Sequence, residues 1–137
     1  MRKVFVDTNI VIDLLSQRAP FYEEAAQLFS LADKNQIELF VSALTIANTS
    51  YTLLRQMNAN KTKSVLRKLK LIITVLPLDD KVIDLALNDE TFVDFEDALQ
   101  YYTALEGNQE LIITRNLKDF KNAKLPILTA RQFIETL

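Results

Sequence analysis

Short apolar runs alternate along this chain with longer stretches of helical spacing. Val4-Phe5-Val6 is too short for a helix and rich in strand formers. Asp7 follows at once, and Ile10-Val11-Ile12-Asp13-Leu14-Leu15 reads as the start of a helix. The spacing predicts a second helix from Phe21 to about Lys34, with Ala25, Leu28, Phe29 and Ala32 on its apolar stripe and Pro20 suited to its first turn. Glu38–Ser42 reads as a second strand. A helix from about Ala43 to Met57 follows, with Leu44, Ala47, Tyr51 and Leu54 near helical spacing. Asn58-Ala59-Asn60 reads as a break. Thr62 to Leu71 is helical again, with Val65, Leu66 and Leu69 inward and Lys63, Arg67 and Lys70 on the other side. Ile72–Leu76 is a third strand, and Asp79 opens a short helix. Phe92 to Glu106 holds a further helix, with Gly107-Asn108 as its C-cap and turn. Leu111–Ile113 is a fourth strand, Pro126–Leu128 a short last one, and Ala130–Leu137 a terminal helix.

This alternation predicts an α/β fold: a three-layer α/β/α sandwich around a central, mainly parallel sheet of four to five strands. The length, 137 residues, suits one domain spanning 1–137. No apolar run approaches the roughly 20 residues of a membrane helix. No signal-peptide pattern is expected, because the first apolar run meets Asp7 within a few residues. Cysteine is absent, which fits a reducing, cytoplasmic setting. Histidine is absent too, excluding Ser-His-Asp and Cys-His sites and HExxH zinc sites. The one glycine, Gly107, excludes Walker and GxGxxG phosphate loops. Catalysis here must use carboxylates, Lys, Tyr, hydroxyls or a hard metal.

Net charge is −2, but its distribution is uneven. Arg55, Lys61, Lys63, Arg67, Lys68 and Lys70 form a basic tract without an acid, a candidate phosphate-tracking face or a solvated helix face. Eight acids lie between Asp79 and Asp97 against Lys81 alone. Three polar clusters fall where an α/β crevice opens: Asp7-Thr8-Asn9 after strand one, Asp94-Phe95-Glu96-Asp97 at a helix start, and Thr114-Arg115-Asn116 with Asp119 after strand four. Each has a plainer reading, since Asp7, Asp94 and Asn116 are also good helix caps. If strand four lies beside strand one, the clusters converge. Crowded carboxylates repel unless a cation neutralises them, and Mg²⁺ or Mn²⁺ prefers such oxygen ligands.

The segments Val6-Asp7-Thr8-Asn9-Ile10-Val11-Ile12-Asp13, Val41-Ser42-Ala43-Leu44-Thr45, Asp94-Phe95-Glu96-Asp97-Ala98-Leu99-Gln100 and Ile112-Ile113-Thr114-Arg115-Asn116-Leu117-Lys118-Asp119-Phe120 together resemble the PIN domain family. The resemblance covers almost the whole chain. It implies a flap-endonuclease-like sheet and a Mg²⁺- or Mn²⁺-dependent ribonuclease, with VapC-type toxins of toxin–antitoxin pairs as the small bacterial examples. It matches Asp7 and Asp97 to metal-ligand aspartates and Thr8 and Thr114 to hydroxyl residues lining the site. Asn116 stands where many members carry an aspartate, and Asn48 near the place of the usual glutamate. Asp94, Glu96 and Asp119 are candidate replacements.

The reading favoured by these residues is an endoribonuclease with Asp7, Asp97 and Asn116 as catalytic residues and Asp7, Asp97 and Asp94 at the metal. Thr8, Asn9, Asn48, Glu96, Thr114 and Asp119 support the site. Arg55, Lys61, Lys63, Arg67, Lys70 and Arg115 contact RNA. A protein antitoxin and a homodimer are the partners the resemblance implies. The alternative is a non-catalytic PIN-like module that binds RNA or protein, motivated by the two amides. An aspartate-nucleophile phosphatase fits poorly, since that chemistry wants a second Asp where Asn9 stands.

Overall fold

The computed structural model describes residues 1–137. Five strands form one sheet: β1 (Lys3–Val6), β2 (Glu38–Ser42), β3 (Ile73–Leu76), β4 (Leu111–Ile113) and β5 (Ile127–Leu128). Their order is β3-β2-β1-β4-β5, and every pairing is parallel. Helices α1 (Thr8–Leu15), α2 (Tyr22–Asp33), α3 (Ala43–Leu53), α4 (Ala59–Leu69), α5 (Asp80–Leu87) and α6 (Phe95–Glu106) supply the crossovers, a 3₁₀ turn at Leu117–Phe120 leads from β4 to β5, and α7 (Ala130–Glu135) follows β5. No helix is long and apolar enough to cross a membrane.

Strand alternation assigns the two faces. Val4, Val6, Leu39, Val41, Leu111 and Ile113 pack with α1, α2 and α7 in the larger cluster. Phe5, Phe40 and Ile112 point the other way, onto Tyr101 and Ala104 of α6 and onto Phe120. A smaller cluster joins Val82 and Ala86 of α5 to Ala98 and Leu99 of α6. The expected three layers are therefore present. β1 is the central strand, paired with β2 on one side and β4 on the other. The chain reverses its direction of travel across the sheet there, which opens a crevice beyond the carboxyl ends of β1 and β4.

Several element boundaries and faces differ from expectation. The break between α3 and α4 ends at Asn58, and Ala59 and Asn60 are already helical. The Asn58 side chain accepts from the Lys61 backbone at 2.8 Å, capping α4 so that it starts at Ala59. Pro20 lies in a turn before α2 rather than in its first turn. On α3 the inward residues are Thr45, Thr49 and Leu53, while Tyr51 is 67% and Leu54 48% exposed. Of the apolar spacing there, Leu44 packs inward while Ala47, Tyr51 and Leu54 mark the outer side, and on the inner face Thr45 joins a buried hydrogen-bond network. At the end of α6, Gly107 is the C-cap with an ordinary φ of −84°, and Asn108 takes the left-handed φ of 57°.

Candidate active site

Asp7 leaves β1 two positions after Phe5, so its side chain falls on the α6 side of the sheet. Its backbone N–H still pairs with Ile113 of β4 at 2.9 Å. The carboxylate is 7% exposed and hydrogen-bonded on both oxygens. Oδ1 accepts from the Thr8 backbone at 2.8 Å and from Gln100 Nε2 at 3.1 Å. Oδ2 accepts from the Thr114 hydroxyl at 2.8 Å. Asp7 is thus a helix cap and also the buried acid of the crevice. Burial raises its pKa, against the pull of the Thr114, Gln100 and Thr8 hydrogen bonds.

In front of Asp7 lies a pocket of about 260 Å³. Thr8, Asn9, Asn48, Asp94, Glu96, Asp97 and Asn116 all line it, so the structure brings together residues from the start of α1, from α3, from the start of α6 and from the segment after β4. Asp97 is half-buried on the first turn of α6. Burial, followed by the negative charges of Asp94, Asp7, Asp119 and Glu96, pushes its pKa up to about 7. Asp94 caps α6, accepting from the Glu96 backbone at 2.7 Å. Asn116 precedes the 3₁₀ turn but makes no side-chain cap bond, which leaves its amide free in the pocket. Asn48 Nδ2 donates to Glu96 Oε1 at 2.9 Å, tying α3 to α6 across the rim. Asp119 sits in an adjoining depression shared with Asp94 and Asp97.

Of the basic residues, Arg115 departs from expectation. Arg55, Lys61, Lys63, Arg67 and Lys70 are exposed, but none lines the pocket. Arg55 lies over the Tyr51 ring at 5.1 Å. Arg115 turns away from the pocket and pairs with fully buried Asp13 on α1. The one cationic side chain lining the pocket is Arg18, from the loop after α1, where the sequence shows only a helix break. Gln100 carries no mark of a site residue in the sequence either. It is 3% exposed, and its polar character at a helix position reads as an outward face unless the partner strands are known.

The donor set is entirely oxygen and amide, which suits a hard divalent cation. No three acidic side chains converge as a ready-made cage. A cation such as Mg²⁺, however, needs only one or two carboxylates and retains several waters. Two features favour that fit: the unneutralised charge around Asp97, and the enclosed Asn9 Oδ1, which has no hydrogen-bond partner.

The family model described as PIN domain matches residues 3–118. The chain is 29% identical over 137 residues to Ribonuclease VapC1 of Aquifex aeolicus (strain VF5), covering 97% of this chain and 94% of that protein. Among solved structures, a toxin-antitoxin complex from Klebsiella pneumoniae is similar at 25% identity and a TM-score of 0.69, covering 93% of this chain and 97% of that one. VapBC-1 from nontypeable Haemophilus influenzae shares the fold at a TM-score of 0.70 and 18% identity, covering 94% of this chain and 98% of that one.

Proposed function

Since the chain belongs to the PIN domain family, we propose that it is a VapC-type endoribonuclease, a metal-dependent hydrolase of RNA phosphodiester bonds. The observation that carries this reading is the convergence of Asp7 and Asp97 in one pocket at the β1–β4 crevice. Asp7 and Asp97 would hold Mg²⁺ or Mn²⁺, with Asp94 and Asn116 beside them. When bound, that cation supplies an activated water and stabilises charge on the phosphate. Thr114 and Thr8 back the buried carboxylate, and Asn48 steadies Glu96. Arg18 offers the cation nearest to an incoming phosphate. The exposed tract of Arg55, Lys61, Lys63, Arg67 and Lys70 is the candidate surface for the rest of the RNA.

The similarity to Ribonuclease VapC1 and to a toxin-antitoxin complex supports the same reading. The toxin-antitoxin likeness extends the proposal to a small protein antitoxin, and to these we add, as what the family resemblance implies, a homodimer and a cytoplasmic site of action. The two amides, Asn48 and Asn116, with no carboxylate trio, favour a second reading: a PIN-like module that binds RNA without cleaving it.

Purified, antitoxin-free protein is incubated with mixed single-stranded RNA in EDTA, Mg²⁺ or Mn²⁺, beside Asp7→Asn and Asp97→Asn variants. The proposal expects cation-dependent cutting that both variants lose. Salt-sensitive binding of intact RNA with no turnover at any cation level would establish the second reading instead.

A further inference from the structure

We propose that Gln100 is a positioning residue for the acidic site, aiming Asp7 at the pocket. This rests on the metal-dependent reading above. Gln100 Oε1 accepts from the Ser42 hydroxyl at 2.6 Å. The Asp7 carboxylate settles the orientation of the amide, because an inverted amide would set its oxygen against that carboxylate, whereas the Ser42 hydroxyl can serve either end. Nε2 then faces three oxygens: Asp7 Oδ1 at 3.1 Å, Thr8 Oγ1 at 3.0 Å and Thr45 Oγ1 at 2.9 Å. Ser42 is itself held, since it accepts from the Thr45 backbone at 3.0 Å as the cap of α3. A continuous chain of hydrogen bonds therefore runs from the start of α3 through Ser42 and Gln100 to Asp7. It links the exits of β1 and β2 to α6.

An ionised carboxylate has about four acceptor sites. Three on Asp7 are filled, two on Oδ1 by Thr8 and Gln100 and one on Oδ2 by Thr114. The open site belongs to Oδ2. Losing Gln100 would leave Oδ1 held by the Thr8 backbone alone, which loosens the carboxylate and blurs that aim. An apolar residue at this 3% exposed position would satisfy packing alone. A buried polar network is a costly way to fill a core unless its direction is used.

The test measures Mn²⁺ binding calorimetrically on the full chain, together with thermal melting and RNA cleavage kinetics. Gln100→Met keeps the volume and removes the donor. It is expected to weaken Mn²⁺ binding about tenfold and lower kcat with the KM for RNA unchanged. Ser42→Ala, which frees the far end of Gln100 without touching Asp7, is expected to shift both in the same direction by a smaller factor, and decides the matter if Gln100→Met does not fold. Variants that melt earlier but bind Mn²⁺ within twofold of wild type would overturn the positioning role and leave the nuclease reading standing. Wild-type protein that binds no Mn²⁺ would overturn both.

Discussion

Arg115 grips the carboxylate of Asp13 through Nε at 2.7 Å and Nη2 at 3.2 Å, while its guanidinium lies 4.0 Å from the centre of the Phe21 ring. Asp13 is fully buried, so this cation offsets a charge that water cannot reach. Arg115→Ala leaves that charge uncompensated and is expected to cost about 3–5 kcal/mol in urea denaturation. Combining Arg115→Met with Asp13→Asn removes the orphaned charge and is expected to recover much of the loss. An equal loss in both would show that the buried carboxylate is not the source. Any fall in RNA cleavage by Arg115 variants should therefore be read against their stability first.

Asp97 gives the metal-free protein a defined pH dependence. Its pKa rises from 3.8 to about 7 on folding, so within that window the folded chain holds a proton that the unfolded chain has released. Stability is then present at low pH and lost as pH rises through about 7. Burial moves Asp7 in the same direction. In EDTA, the urea midpoint is expected to be higher at pH 5 than at pH 8. Asp97→Asn should flatten the difference, and Mn²⁺ should restore stability at pH 8. A wild-type profile matching that of the variant would show that Asp97 does not carry the effect.

The Asn48–Glu96 contact at 2.9 Å offers a way to raise the charge of the site. Asn48→Asp sets two carboxylates against each other on an exposed rim. The cation-free protein is expected to lose on the order of 1 kcal/mol, as for other exposed like-charge neighbours. Mn²⁺ affinity is expected to rise severalfold. Melting curves with and without Mn²⁺ read both effects, and an unchanged Mn²⁺ response would remove Glu96 from the cation's surroundings.

Gly107 is required by close approach rather than by its backbone angle. A Cβ there would come within 2.6 Å of Leu76 Cδ1 and 3.1 Å of the Thr103 carbonyl oxygen. Gly107→Ala is expected to cost about 1–2 kcal/mol through overpacking. Adding Leu76→Val should recover part of it, measured by thermal or urea unfolding.

The fold was legible where the chain states it locally. Val4-Phe5-Val6 followed by Asp7 marks a buried strand and its exit, and the strand–helix alternation marks the parallel sheet. The three polar clusters met because β4 pairs with β1. What stayed hidden depended on partners distant in sequence. Nothing near Gln100 announces that Ser42 and Asp7 will flank it. Arg115 looks like a free cation until Asp13 is placed beneath it. On α3, of Leu44, Ala47, Tyr51 and Leu54 at helical spacing only Leu44 packs inward, because Thr45, Thr49 and Leu53 take the inner face.

The central position of β1 also sets a timetable. The strand is made well before its neighbour β4 and before Gln100 and Thr114, the partners of Asp7. Until residues 97–119 have emerged, Asp7 has neither its neighbouring acid nor its hydrogen-bond donors from α6 and β4. A nascent chain therefore carries a dismantled site. Translation that stalls before α6 leaves a fragment in which the proposed site has not formed.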